Sequence, residues 1–556
     1  GGRDAGNVLV RVGRLAAGNG VLLSSGTQGT GQGGAVTITA LDSIVMAGTN
    51  TGITNNTSGS GHAGSISVTA PQVILRDNSA IEAFTLTGDG NAGAITVQAD
   101  RLTLTDGAHI ASDTRGAGSA GAVTITARET ISIVGRNSRN IQSGISSSSS
   151  GAGPGGRITV TAPTLTLDEG RIISTAFEAG YSGNVIVAAG QVMLTNGAFI
   201  GSDALKNGSS GSVTVTAREA ISITGQSPHD LRRSAIRSTA RDAETGGLIT
   251  LTTPILTLDE GRITTTSFGA GRGGDIVIEA GQVTLSSNAS IESNAEGMGS
   301  AGTILITARE AITIGGRGSH SFGSLIRGIT RNAGAGGRLT LRTPILSLDD
   351  GIVSAAAFGT GRAGDIIVET NQVALTNGGA IDSSTTGLGP GGTVTVTVQG
   401  TISIAGRNDD MQSSIAITTG GDAAAGRLKL RATTLNMDGG AIFASTFGAG
   451  RAGDIMIEAN RATLTNGADI SSNTEGSGSG GTVTITAREA MSIIGRSSAG
   501  VPSAVSSVTR STGAAGRLTV TAPTLTLDAG GLTAFTLGTG RAGDIVVEAD
   551  QLTLTR

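Results

Sequence analysis

The chain has 556 residues, 91 of them glycine, with a formal net charge of −4, 14% charged and 2% aromatic residues, and no cysteine. That excludes a disulfide scaffold, a cysteine-ligated metal site and a cysteine nucleophile. It also excludes disorder by low hydrophobicity and high charge, since 37% of the residues are hydrophobic.

Glycine does not fall at every third position, so the chain is not collagen. No basic block is present, so nucleic acid is not an expected partner. No apolar run approaches the ~18 residues of a membrane helix. The start, Gly1-Gly2-Arg3-Asp4, carries no basic-then-apolar leader. The expectation is one continuous repeat domain over 1–556, an internal fragment of a longer chain.

Three kinds of segment recur in fixed order. The first begins at Asn7, Ala94, Asn184, Asp275, Asp365, Asp454 and Asp544 and reads, at 365–384, DIIVETNQVALTNGGAIDSS. The second begins at Ala35, Ala122, Ser212, Thr303, Thr393 and Thr482 and carries TITARETISI at 124–133. The third begins at Ser65, Arg157, Leu248, Arg338, Arg427 and Arg517 and carries TAPTLTLDEG at 161–170. From Ala94 onward, the first kind returns every 89–91 residues. The unit is therefore about 30 residues, with a super-repeat of three, and 19 units fill the chain. Such self-similarity is the signature of a solenoid.

Within a unit, apolar and polar residues alternate with period two, as at Ile366 and Val368 and again at Val373 and Leu375, before a shorter run opens at Ile381. This is strand patterning. Turn signals divide the runs: Asp106-Gly107, Asn196-Gly197, Asn377-Gly378 and Asn466-Gly467. The third kind places Pro71, Pro163, Pro254, Pro344 and Pro523 at its first corner, where a missing N–H does least harm. Three strands per 30-residue unit bring each strand back over itself in parallel. The predicted fold is all-β: a parallel β-helix, right-handed by the crossover rule, of about 19 coils of about 30 residues. At about 4.8 Å per coil it spans on the order of 90 Å. Val, Ile and Leu should fill its core, with Thr and Ser outward. Phe177, Phe268, Phe358 and Phe447 recur in register and should fill a wider corner.

The chemical motifs read as scaffold. The GxGxxG runs at 269–274, 359–364 and 538–543 precede strands, whereas a dinucleotide fingerprint precedes a helix. Asp275, Asp365, Asp454 and Asp544 come once per super-repeat and should cap backbone N–H groups at a corner, rather than hold calcium in a nine-residue roll. Asp168-Glu169, Asp259-Glu260 and Asp349-Asp350 suggest glycoside chemistry only until their recurrence at one corner is noticed. Arg128-Glu129, Arg218-Glu219, Arg309-Glu310 and Arg488-Glu489 read as solvated corner pairs. His62, His109, His229 and His320 form no repeating ligand set. No catalytic, cofactor-binding or metal-binding residue is assigned, and no cofactor is expected. One region breaks the repetition. The second kind of unit is about seven residues longer, through loops such as 227–233, 317–323 and 407–413, which would line one ridge at intervals of about 14 Å. Variable loops on a rigid scaffold are where recognition usually sits.

The GRAGDI segments at 361–366, 450–455 and 540–545, with the TNGA turns and the TAREAISI and LTLDEG strands, resemble the repeat region of filamentous-haemagglutinin-like large exoproteins, the passengers of two-partner secretion. The resemblance covers essentially the whole chain. It implies export through an outer-membrane two-partner transporter, a secreted or bacterial cell-surface location, and adhesion, aggregation or filament building rather than enzymatic activity. Expected partners are a host, neighbouring-cell or matrix surface, and the chain itself end to end. The family's amino-terminal secretion domain has no counterpart here. The alternatives are a carbohydrate-active β-helix enzyme (a polysaccharide lyase, hydrolase or tailspike-like depolymerase) and the shaft of a contact-dependent toxin.

Overall fold

The computed structural model describes residues 2–242, 245–317, 323–408 and 411–556. Two compact units, Gly1–Glu279 and Ala280–Arg556, divide the chain. Each is a parallel β-solenoid, and no helix occurs among the described residues. Along the chain the described residues make nineteen turns, whose long strands start within one residue of the nineteen expected positions.

Each turn contributes to two sheets. A long strand of 11–13 residues, such as Val123–Val134, pairs in parallel with its counterparts one turn before and after, Ile95–Thr105 and Ile158–Asp168. A short strand, such as Gly144–Ser149, pairs likewise with His109–Thr114 and Arg171–Ala176. The second unit repeats this, with Asp365–Thr376 between Arg338–Asp349 and Thr393–Ala405.

The expected three strands per coil are thus two in most turns. The first two runs stay in one ladder because their corner is a bulge rather than a break. Between Thr126 and Thr130, for example, the second kind of turn holds one residue more than its neighbour. The strand splits at the corner beside Pro71 and Pro523, and at Ala432-Thr433, into Ile66–Thr69 with Gln72–Arg76, Leu518–Thr521 with Thr524–Asp528, and Arg427–Arg431 with Thr434–Asp438, while it runs unbroken through Pro163, Pro254 and Pro344.

The core is made of aliphatic residues stacked in register. Ile131, Leu165, Val192, Ile221 and Leu256 form one column. Ile145, Ile172, Ile200, Ile236 and Ile263 form another. All ten are fully buried. β-branched side chains suit this stacking because their χ1 is already restricted, so little freedom is lost.

The expectation that Ser and Thr face outward fails on the short strands. Ser112, Ser147, Ser174, Ser202 and Ser238 are fully buried. Each stands nine residues before a glycine and accepts its N–H: Gly121 to Ser112, Gly156 to Ser147 and Gly183 to Ser174, at 2.7–3.1 Å. Ser147 Oγ also donates to the carbonyl of Gly121 one turn earlier, at 2.7 Å. A polar column therefore runs inside the core. Its reason is geometric. Gly121, Gly156, Gly183, Gly211 and Gly247 form the adjacent corner column, and a Cβ on any of them would overlap the glycine carbonyl one turn before. Backbones this close cannot carry side chains that would pair their N–H groups, so serine does it from inside. Phe177, Phe268, Phe358 and Phe447 likewise do not fill a corner: they are 42–59% exposed. The inward position before each is taken by Ala176, Ser267, Ala357 or Thr446; the ring follows it and points out.

Gly183→Ala should destabilise its region by about 3 kcal/mol or more, through overpacking against backbone. Ser147→Ala should cost about 1–3 kcal/mol by leaving the Gly156 N–H unpaired. Gly13→Ala, with open space at its Cβ, should stay within about 0.5 kcal/mol. Hydrogen exchange of the flanking strand amides measures all three.

Candidate functional site

Alternation on the short strand gives it one face toward the core and one face outward. In the first kind of turn the inward residue is Ile110, Ile200, Ile291, Ile381 and Ile470, all fully buried. The outward residue just before it is His109, Phe199, Ser290, Ala380 and Asp469. The copies hold one position and vary its neighbour completely.

That varied face is the floor of a groove. One wall is the ridge of long loops; the other is the residue after each short strand, the position of Phe177, Leu205 and Arg241. In the first unit a hollow of about 510 Å³ is lined from both walls and the floor, by Gln142 and Arg232, by Phe177, Leu205 and Arg241, and by Arg171, Phe199 and Arg237. A neighbouring hollow of about 500 Å³ holds Glu82, His109, Asn137 and Arg139.

The loops are built, not slack. In each, a glycine with positive φ (Gly135, Gly225, Gly316, Gly406, Gly495) opens a neck. A serine eight or nine residues on, or seven in the shortest, closes it. Ser143 donates its N–H to Gly135 at 3.0 Å and its hydroxyl to Val134 at 2.8 Å, and accepts the Gly107 N–H of the previous turn at 3.0 Å. Ser234, Ser413 and Ser503 repeat the neck. Near each described loop tip stands one exposed apolar residue: Ile141, Leu231, Met411 and Val501.

The expected ridge is present within each unit. Arg136, 6% exposed, reaches the next loop at Ser227 (3.4 Å) and Asp230 (3.6 Å), with Glu169 3.6 Å from its Nε. In the second unit Arg317 and Asn408 share Asp350, at 3.1 and 2.6 Å. Residues 318–322 of one expected loop, with His320, and 409–410 of another lie outside the described residues.

The floor carries several charges. His109 Nε2 lies 2.6 Å from Glu82. Burial, the largest single influence, lowers the His109 pKa, but the bond to Glu82 together with the charges of Glu82 and Asp113 and the Gly107 carbonyl raise it overall. Arg237 pairs with Asp203 at 2.8 Å and lies over the Phe199 ring, 4.1 Å from its centroid. Glu292 is almost fully buried and pairs with Arg327 at 2.8 Å. Burial pushes Asp382 up to about 6, against hydrogen bonds from Ser384 and Ser354. Burial also lowers Arg171, with Asp113 acting against it.

The expected corner roles can be followed atom by atom. Asp365 and Asp454 accept the N–H of Thr393 and Thr482 one turn on, at 3.0 and 2.9 Å, and pair with Arg362 and Arg451, both at 2.6 Å. Burial alone would raise both carboxyls, but these bonds hold them below the usual range. Glu169, Glu260 and Asp350 have positive φ, as corner residues. Asp168 and Asp349 each accept from the Thr-Asn pair of the next turn, Thr195-Asn196 and Thr376-Asn377, at 2.6–2.9 Å. The Arg-Glu corners differ from expectation in partner: they pair between turns, Arg101 with Glu129 at 2.5 Å and Arg461 with Glu489 at 2.6 Å. Extended neighbouring residues point apart, whereas neighbouring turns lie one ladder step away.

The groove itself escaped sequence reading, although its signal was there: the column His109, Phe199, Ser290, Ala380, Asp469 beside a column of isoleucines. No protein-family model, curated protein or solved structure matches the chain.

Asp382 supplies a pH test. Its folded pKa, about 6, lies above its ordinary value of 3.8. Its neutral form is therefore the one the fold accepts. The stability is complete below about pH 4 and falls as pH rises through 6, by on the order of 1–3 kcal/mol. Asp382→Asn should remove that dependence and be the more stable protein at pH 7.5, as thermal melts at several pH values would show.

Proposed function

We propose that this chain is an extracellular structural or adhesive segment. Its solenoid turns hold a varied groove and a ridge of loops toward another surface, and it carries out no covalent chemistry. One observation carries the reading: near-identical turns keep their inward and corner residues and differ along the outward face of the short strands. Repetition without function would let that face drift without building walls around it. Here the walls are built, by serine-closed necks on one side and paired backbone on the other. The apolar tips Ile141, Leu231, Met411 and Val501 add exposed contact sites along the ridge.

Export through an outer-membrane two-partner transporter and a bacterial cell-surface location follow from the resemblance to filamentous-haemagglutinin-like exoproteins, and the absence of cysteine suits that route. A host, neighbouring-cell or matrix surface is the proposed partner. The same shaft could carry a toxin segment beyond these residues, a variant of the same mechanical role. Against a carbohydrate-active enzyme stands the pairing of three floor carboxylates: Asp203 and Glu292 are each held by an arginine and Glu82 by His109.

Beads coated with the protein should adhere to cells or matrix. Replacing Ile141, Leu231, Met411 and Val501 together by Ser should reduce adherence several-fold with the β-sheet circular dichroism unchanged. Undiminished adherence would remove the ridge from the mechanism, and turnover of a polysaccharide by the purified protein would replace the adhesive reading with the enzymatic one.

A further inference from the structure

The hollow of about 510 Å³ in the first unit differs from the rest of the groove in its charge and in how that charge is held. It is lined by five arginines, among them Arg115, Arg171, Arg237 and Arg241, against Asp113 and Asp203. Among the described residues, Arg115, Arg171 and Arg241 have no carboxylate within 4.0 Å, whereas most corner arginines of this chain do. Burial already disfavours the charge on Arg171. A cation in that condition gains from an incoming anion.

Two of the arginines are seated by glycines that occur at these outward positions without a turn to require them. Arg171 lies across Gly144 of the preceding turn, where a Cβ would come within 2.6 Å of its Cγ. Arg237 lies across Gly201 in the same way, at 3.1 Å. Other equivalent turns carry Ala235, Leu325, Ser414 or Ala504 in place of Gly144, with Gly52 sharing the glycine but facing Ala80, and Ser24, Ala111, Glu292, Asp382 or Ser471 in place of Gly201. Neither glycine has positive φ. Their effect is to leave room for two arginine stems, and Phe199, with Ile173 and Ala235, forms the apolar bed beneath. The guanidinium groups are thus laid down before any ligand arrives, which lowers the entropy cost of binding one.

We propose that this hollow binds an acidic oligosaccharide, a chain of sugar rings bearing carboxylates. Planar guanidinium forks match carboxylates. The lining also includes Ser146, Ser148, Thr175, Gln142, Asp113 and Asp203, which suits sugar hydroxyls: serine, threonine and glutamine both donate and accept, and aspartate accepts. The two aspartates speak against a polyphosphate backbone, which would bring like charge against them and offers them few hydroxyls. The exposed ring of Phe177 offers a flat apolar surface at the wall. The volume is that of an ordinary ligand cleft, about 300–1,000 Å³. This inference names the ligand of one stretch of the groove and rests on the adhesive reading above.

The test uses the whole chain and a fluorescent oligogalacturonate, followed by anisotropy at two salt concentrations. Saturable binding that weakens with salt is expected, with no binding of a neutral maltooligosaccharide. Arg171→Gln and Arg115→Gln should each weaken it about tenfold or more, as for the loss of a charged hydrogen bond. Gly144→Leu should do the same while keeping every charge, by displacing the Arg171 stem; Arg101→Gln, at an exposed corner, should change nothing. Thermal melts confirm that each variant is folded, and the Gln variants decide the matter if the Leu variant is not. Absent binding, binding unchanged in both Gln variants, or tighter binding of single-stranded DNA or polyglutamate overturns the proposal. Loss of oligogalacturonate binding with bead adherence intact would reject this ligand and leave the adhesive reading standing.

Discussion

At the corner that closes each turn, glycine backbones of consecutive turns approach so closely that no Cβ fits between them, from Gly121 through Gly247 in the first unit and again from Gly364 to Gly392 and Gly426 in the second. The rest of the architecture depends on that approach. It lets consecutive strands keep ladder spacing through the bend. It also strips the corner of side chains that could pair its amides, and so calls for the serine nine residues upstream. Where serine is replaced, the pairing is remade by other means: Asn55 spans the same two partners, Gly64 N–H and Gly34 carbonyl, with its amide. At Ala355 the backbone carbonyl itself takes the Gly364 N–H, at 2.9 Å.

This constraint separates the positions of a turn into two groups. Inward residues and corners are bound to their neighbours above and below, so a change in one turn strains two others. Stability in such a repeat is a sum of unit and nearest-neighbour terms, and most of those terms lie in the core columns, the glycine and serine columns and the Asp caps. The outward face of the short strand is held more loosely: its couplings are single pairs between adjacent turns, such as Glu82 with His109 and Asp203 with Arg237, rather than continuous columns. It is the one set of positions on which a turn can change chemistry without changing fold, and it is there that His109, Phe199, Arg171 and Asp382 stand.

The repeat, its boundaries and the roles of Asp365 and Asp454 were legible in the sequence because each rests on a local rule repeated many times: period-two alternation, a turn dipeptide, a short polar side chain at a strand start. What was not legible depends on which neighbour lies one turn away. The inward serines look like any other polar residue of an alternating strand until Gly121 is seen beside Ser112. Phe177 looks like core by its recurrence, and is displaced outward only because Ala176 already occupies the inward site. Arg128 looks paired with Glu129 in the text, yet it bonds Asp100 of the turn before. In a parallel solenoid the nearest residue in space is about one unit away in sequence. Motifs read along the chain therefore mislead about partners while remaining right about elements.

The same geometry bears on how a binding site arises on a scaffold of copies. A site needs several different side chains close together, whereas stacking places like residues over like. A three-turn super-repeat eases this, since neighbouring turns are already of different kinds. Arg171, Phe199 and Ala235 come from three successive turns of third, first and second kind, and so differ without any break in the repeat. The glycines at Gly144 and Gly201 then do what substitution at the floor alone cannot: they lower the floor by a side chain's depth, so that long cationic stems lie along it instead of standing away from it. A hollow in a flat sheet is made by removing Cβ atoms from one turn and adding length in the next, and the two changes are coupled to each other rather than to the core columns.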